Sequence, residues 1–454
     1  MRSASSRYAR ADVSAASLPV AQALGEYIPY LLGIFNGMLT DELIVRRDFV
    51  FAWQPTVSRS RRPGTTMIES ANIYLEVYFT LMTYAAALGN HAAALVQSLG
   101  VYELDSGQSS ASRHESEEQL KHAADHLCRA AGVFEYVGGR VLPQWQQHGE
   151  QLEPPTVEVT SEVVMALAKL AMADAHTLAV RRLVSNPAAI AHDTLTPGPP
   201  LPPGHPSPSL LAKLHLYAAA LYQDALALLA AADGQRRAPN SQAPGEDAQK
   251  SSAARGVGKL VPLEKLRSKL ASVGVEHRIS SSLLQYLERE AHWQRALAYK
   301  WLGIDAGESS GRTGEALAFL AAAGDMMSRF QPRDAASKAP KPPFTKQARL
   351  LRHRGSDSPQ WVELEIASVR RIHSLYQRMN DTVSFQRVPS LAELELGMPS
   401  GRAALAPKPY NPPAPVFGPG SSRVSPGLET ESLLLGVSSG RPSRGEYSGA
   451  GAYY

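Results

Sequence analysis

Two imidazoles, His122 and His126, stand four residues apart with Asp125 between them. On a helix this spacing puts both rings on one face, where they could hold a metal. No glutamate completes a His-Glu-x-x-His frame, and the sequence suggests no third ligand. Helix-surface histidines are therefore the expected reading. Gly256-Val-Gly-Lys-Leu260 carries a Gly-Lys pair without the upstream glycine spacing or the Ser/Thr of a phosphate loop. The backbone cradle and the magnesium-binding hydroxyl are then missing. Cys128 lies in the apolar stretch Ala124–Ala131, which predicts a buried structural thiol rather than a nucleophile. Several glycines occupy 303–314, but no strand precedes them, so a dinucleotide site is not indicated. The expectation is a chain with no catalytic, cofactor-binding or metal-binding residue.

The elements that would carry these residues are helices. Apolar residues recur every three or four positions, as one buried helix face requires. Within 112–136 they are Leu120, Ala123, Leu127, Ala130, Ala131 and Phe134; within 161–183 they are Val163, Leu167, Leu170 and Leu178. Helices are likewise predicted over 208–232, 282–302 and 314–327. Ser358-Pro359 reads as an N-cap followed by proline at the first helical position. The helix after it should bury Val362, Ile366, Val369, His373 and Tyr376 in one stripe. Strand character is confined to Phe49–Trp53, a short strand or hairpin edge.

Breaks divide the chain. Proline crowds 194–208, predicting an extended, polyproline-like connection. Residues 234–259 and 333–343 lack apolar period and read as flexible inserts. The expected organisation is a flexible arm at 1–19, one α domain at 20–410 and a disordered Pro/Gly/Ser-rich tail at 411–454. At 454 residues, 44% hydrophobic and 19% charged, the chain can bury a sizeable core. A net charge of +4 with no long Lys/Arg run gives little support to nucleic-acid binding. One cysteine cannot form an internal disulfide. No signal peptide is visible, and the apolar stretches Tyr27–Leu39 and Leu214–Ala231 carry polar interruptions. A soluble, cytoplasmic chain with only peripheral membrane association is expected.

Met379-Asn-Asp-Thr-Val-Ser-Phe-Gln-Arg-Val-Pro389, followed by Met398-Pro-Ser-Gly-Arg402 and Lys408-Pro-Tyr-Asn-Pro-Pro413, closely resembles the end of a BRO domain. Phe51-Ala-Trp53, 130–137, the Leu-Ala-rich helix at 167–178 and Gly314–Leu320 resemble earlier family segments in the same order. The wording looks most like the fungal pH-response branch of that family. The resemblance implies a mainly α, elongated, banana-shaped BRO domain of long helices, with a helical-hairpin solenoid core and a short N-terminal strand or hairpin. It implies an adaptor that catalyses nothing and uses no cofactor. Its partner would be the C-terminal helix of the core ESCRT-III filament subunit, with a pH-signalling receptor and arrestin complex and a PalA-like adaptor nearby. Recruitment would be to the plasma membrane or endosome. The apolar patch that grips the helix falls, by the resemblance, on Leu178, Leu210 and Leu214. The same fold could also serve general endosomal sorting.

Overall fold

The structure, a computed structural model, describes residues 2–44, 49–60, 67–104, 109–148, 156–191, 200–235, 277–330 and 359–421. The long helices are α1 (Arg2–Leu39), α2 (Ile73–Leu99), α3 (Ser110–Tyr136), α5 (Ser161–Ala191), α6 (Pro208–Gln235), α7 (Ser281–Ser310), α8 (Thr313–Ser328) and α9 (Pro359–Met379). Short α4 (Leu142–Gln147) and α10 (Leu391–Leu396) complete the helical set among the described residues. Asn72 and Ser109 cap α2 and α3, each accepting a backbone N–H from the first turn. The helices pack in series: α1 on α2, α2 on α3, α3 on α5, α5 on α6, α6 on α7, α7 on α8 and α8 on α9. This is a solenoid in which each helix buries its apolar face mainly against its chain neighbours. The stripe expected on α9 is buried at Val362, Ile366, Val369 and Tyr376, with Ile372 deep where His373 was expected.

Strand β1 (Phe51–Trp53) pairs antiparallel with β3 (Ile68–Ser70), and β2 (Ser58–Ser60) pairs with β4 (His277–Ile279), just before α7. Buried Glu158 braces this corner. Its carboxylate accepts from Thr56 Oγ1 at 2.9 Å, Val57 N at 2.8 Å and Ser58 N at 2.5 Å.

Two expectations are corrected. Residues 2–19, expected as a flexible arm, are helical and belong to α1. The helix contains Pro19 and Pro29, with no acidic residue in its first turn and no basic residue in its last to signal a boundary, which hid it from periodicity. From residue 17 on, Ser17, Ala21, Ile28, Leu31 and Phe35 are buried. The domain also does not stop at 410. Residues 411–421 lie on α1, where Val416 N donates to Pro29 O at 3.3 Å and Asn36 Nδ2 donates to Pro419 O at 3.0 Å. The inserts expected at 234–259 and 333–343 lie outside the described residues, apart from the last turn of α6.

From residue 386 the chain runs back along the solenoid as a strap. Gln386 bonds to Gly311 O and Gly314 N at the α7–α8 turn. Glu395 on α10 accepts from Arg295 and Tyr299 of α7. Arg402 N then donates to Lys213 O of α6, Leu405 N to His176 Nε2 of α5, and Lys408 N to Cys128 O of α3. Lys408 also pairs with Asp125 of α3. Tyr410 packs its ring against Tyr84 of α2 and Tyr136 of α3, and the path ends on α1. Prolines at 399, 407, 409, 412 and 413 hold the strap extended.

The strap approaches closely because the crossings are small. At Gly132 on α3 a Cβ would collide with the Lys408 carbonyl, whereas at Gly139 it would meet nothing within 4 Å. Gly132→Ala should therefore destabilise the protein by about 1–3 kcal/mol through overpacking. Gly139→Ala should be neutral or stabilising by up to about 1 kcal/mol, because alanine is the better helix former. Thermal melts of the two variants check this; equal melting shifts contradict the close crossing.

Candidate partner-binding groove

Small residues fit α5 between its neighbours. Ala171, Ala173 and Ala175 are buried there, and α3 and α6 pack on either side. α5 and α6 are each long and apolar enough to cross a membrane, in contrast to the expectation for Leu214–Ala231, yet both are packed within the solenoid. Leu178 sits in the C-terminal half of α5 and is 8% exposed. α6 begins after Ser207, whose hydroxyl accepts from Leu210 N at 3.2 Å. Leu210 and Leu214, four residues apart, share a face of α6.

That face is not open along its length. Leu210 is half-buried, but Leu214 is 2% exposed and belongs to the apolar cluster of Trp293, Leu297 and Trp301 on α7. Exposure of Leu214 at a groove is therefore corrected: it is a core side chain. The reason lies in the neighbours. Tryptophans of α7 fill the space below α6, and the proline-rich connection folds back, with His205 against the Trp301 ring and Leu201 on the same cluster.

Leu178 lines a cavity of about 90 Å³ at the meeting of α2, α3, α5, α6, α7 and α9. Three of the five tryptophans, Trp293, Trp301 and Trp361, form part of its wall. The polar lining is buried and organised. Asp174 Oδ1 accepts from the Tyr222 and Tyr286 hydroxyls at 2.7 and 3.0 Å. Arg181, one turn beyond Leu178, grips Glu103 through Nε at 2.5 Å and Nη2 at 3.1 Å, and donates to Gly100 O. Its guanidinium lies over the rings of Tyr102 and Trp361. Burial, with the Glu103 charge beside it, pushes the Tyr102 hydroxyl up to about 12. Glu365 of α9 pairs with Lys300 of α7, both buried; burial alone pulls the lysine down, and Glu365 opposes that. His215 Nδ1 meets Gln294 Oε1 at 2.7 Å.

The other sequence candidates resolve separately. His126 stacks edge-on with His91 at 5.0 Å, and burial lowers its pKa. Among the described residues no cluster of three or more His, Cys, Asp or Glu side chains is placed to hold a metal. Cys128 is buried, and burial pushes its thiol up to about 11. Gly256–Leu260 lies outside the described residues. The cavity's polar groups escaped the sequence reading because each lies singly within a helical stripe. The only signal was Arg181, three residues past Leu178 and so on the same face.

Leu214→Ala should cost about 2–5 kcal/mol as a core truncation. His215 carries a pH dependence. Burial lowers its pKa from 6.5 to about 4, so the fold favours the neutral ring. The unfolded chain binds the proton more tightly; this stabilisation is full above pH 6.5 and is lost as pH falls toward 4. Unfolding free energy should fall by up to about 1.4 kcal/mol per pH unit in that window from this group. His215→Gln should flatten the slope. Denaturant melts at stepped pH measure it, and an unchanged slope contradicts the assignment.

The BRO1-like domain matches residues 31–415 of this chain. The chain is 32% identical to the pH-response regulator protein palC of Cryptococcus neoformans var. neoformans serotype D (strain B-3501A), over 98% of this chain and 90% of that protein. It is 24% identical to palC of Yarrowia lipolytica (strain CLIB 122 / E 150), over 96% and 87% of the two chains. Among solved structures it is similar to the ALIX BRO1 CHMP4C complex, with a TM-score of 0.52 and 16% identity over 86% of this chain and 79% of that one. It is also similar to ALIX in complex with the SIVmac239 PYKEVTEDL late domain, with a TM-score of 0.53 and 16% identity over 88% and 41%. The serial helix packing and these matches agree: the chain belongs to the BRO1-like domain family.

Proposed function

We propose that this chain is a non-catalytic adaptor in ambient alkaline-pH signalling, acting upstream of the proteolytic activation of a transcription factor. The observation that carries the reading is the likeness, over nearly the whole chain, to relatives named pH-response regulators. Its immediate partner is the C-terminal helix of the core ESCRT-III filament subunit. A fold neighbour, ALIX BRO1, is seen with CHMP4C, an ESCRT-III subunit, which supports that choice. The chain works in the cytoplasm and is recruited to the plasma membrane or endosome through partners, among them a receptor and arrestin complex and a PalA-like adaptor.

Recognition is helix in groove, with apolar anchors filling pockets along one face. Half-buried Leu210 supplies the accessible edge. Leu178 supplies the inner wall beside the cavity, and buried Leu214 backs them from the core. A charge at 210 meets the partner's apolar side chains, whereas a charge at 214 meets the core of this chain.

Leu210→Asp should melt near wild type and lose about 2 kcal/mol of peptide affinity, about 30-fold, from lost burial and carboxylate desolvation. Leu214→Asp should fail to fold, since a buried unpaired carboxylate is poorly tolerated. Titration of a synthetic ESCRT-III C-terminal helix peptide, with circular dichroism melts, separates the two. In fungal cells Leu210→Asp should block transcription-factor processing at alkaline pH. Normal processing with defective cargo sorting would favour a general sorting adaptor instead.

A further inference from the structure

The cavity beside Leu178 has a specific chemistry. Arg181 is 10% exposed at its side chain, and its Nε and Nη2 are engaged with Glu103 and Gly100. Its Nη1 is buried without a hydrogen-bond partner. A buried guanidinium N–H left unsatisfied costs free energy until an acceptor reaches it. The rest of the polar lining is acidic. Asp174, which accepts from Tyr222 and Tyr286, and Glu290, which is paired with Arg289, place carboxylates on it, and His215 Nδ1 meets Gln294 Oε1. The volume of about 90 Å³ has room for several water-sized groups. A carboxamide with its adjoining methylene fits within it.

These features select by charge. A carboxylate would satisfy Arg181 but would face the Asp174 and Glu290 carboxylates. An ammonium would leave Arg181 Nη1 without an acceptor and add a like charge beside it. A neutral amide serves both sides: its oxygen accepts from Arg181, and its NH₂ donates to a carboxylate oxygen of the lining without adding charge. Trp293 and Trp361 offer flat walls for the amide plane and the methylene. Leu178 shares the cavity wall with Arg181, so a chain entering past it would carry the amide inward.

From this we infer that the cavity is an anchor recess for one carboxamide side chain, a glutamine or asparagine, carried by the helix that docks beside Leu178. The assignment rests on the helix-docking reading for its occupant, and on the cavity alone for its chemistry. It adds a polar specificity element to a groove otherwise described by leucines.

Saturation-transfer NMR on the full chain tests it with three probes of equal length: propionamide, propylamine and propionate. Propionamide should bind about tenfold more tightly than either charged probe, the worth of one satisfied hydrogen bond to a charged group. Leu178→Trp should fill the cavity and abolish the response while melting as wild type. Val184→Trp, at another cavity-lining position, replaces it if that variant does not fold. A preference for propylamine or propionate, equal responses, or no response from folded protein overturns the proposal. The ESCRT-III helix peptide is titrated in parallel and should displace propionamide. Peptide binding without a propionamide response sinks the recess and leaves helix docking standing. A propionamide response with no peptide binding removes the assigned occupant and sinks the docking reading instead.

Discussion

The return of the chain along its own solenoid is the constraint on which the rest depends. A series of helices that touch only their neighbours has few long-range contacts and can open between any two of them. The strap from Gln386 to Ser421 crosses α8, α7, α6, α5, α3 and α1 in reverse order of the chain, making a backbone or side-chain bond near each. Each bond contributes only about 0.5–1.5 kcal/mol. Together they couple the first helix to the last. The crossings impose their own sequence demands: glycine at 132 and 314 beneath the strap, glycine at 401 within it, and prolines that keep it extended.

The helices so held converge on a polar junction that apolar packing alone would not produce. Arg181–Glu103, Lys300–Glu365, and Asp174 with its two tyrosines are all largely buried where α5, α6, α7 and α9 meet. Buried ion pairs seldom add net stability over an apolar core of the same volume. Their cost is easier to understand if they fix orientation around a recess. Leu178 and Val184 line this junction, whereas half-buried Leu210 packs against the neighbouring apolar cluster.

Much of this was legible in the sequence, and the gaps have physical causes. The helices at 161–191, 208–235 and 359–379 declared themselves by period, and the end of the domain by its proline-spaced wording. α1 did not, because it holds two internal prolines and lacks an acidic first turn and a basic last turn. The last eleven strap residues read as tail because their partners, Pro29, Gly33 and Asn36, lie nearly four hundred residues away. Leu214 was misplaced for a related reason. Spacing puts it on the same face as Leu210, but only the packing of Trp293 and Trp301 decides that Leu214 is fully covered while Leu210 is half-buried against the same cluster. The polar floor was invisible because its members come from four separate helices.

The most direct test of the account is hydrogen exchange on the full chain, with and without the ESCRT-III C-terminal helix peptide. Binding at the groove predicts slowed exchange confined to the C-terminal half of α5, the first turns of α6 and the facing turns of α7, with α1 and the strap unchanged. Protection centred on α1 or α9's outer end, or none at saturating peptide, would contradict it.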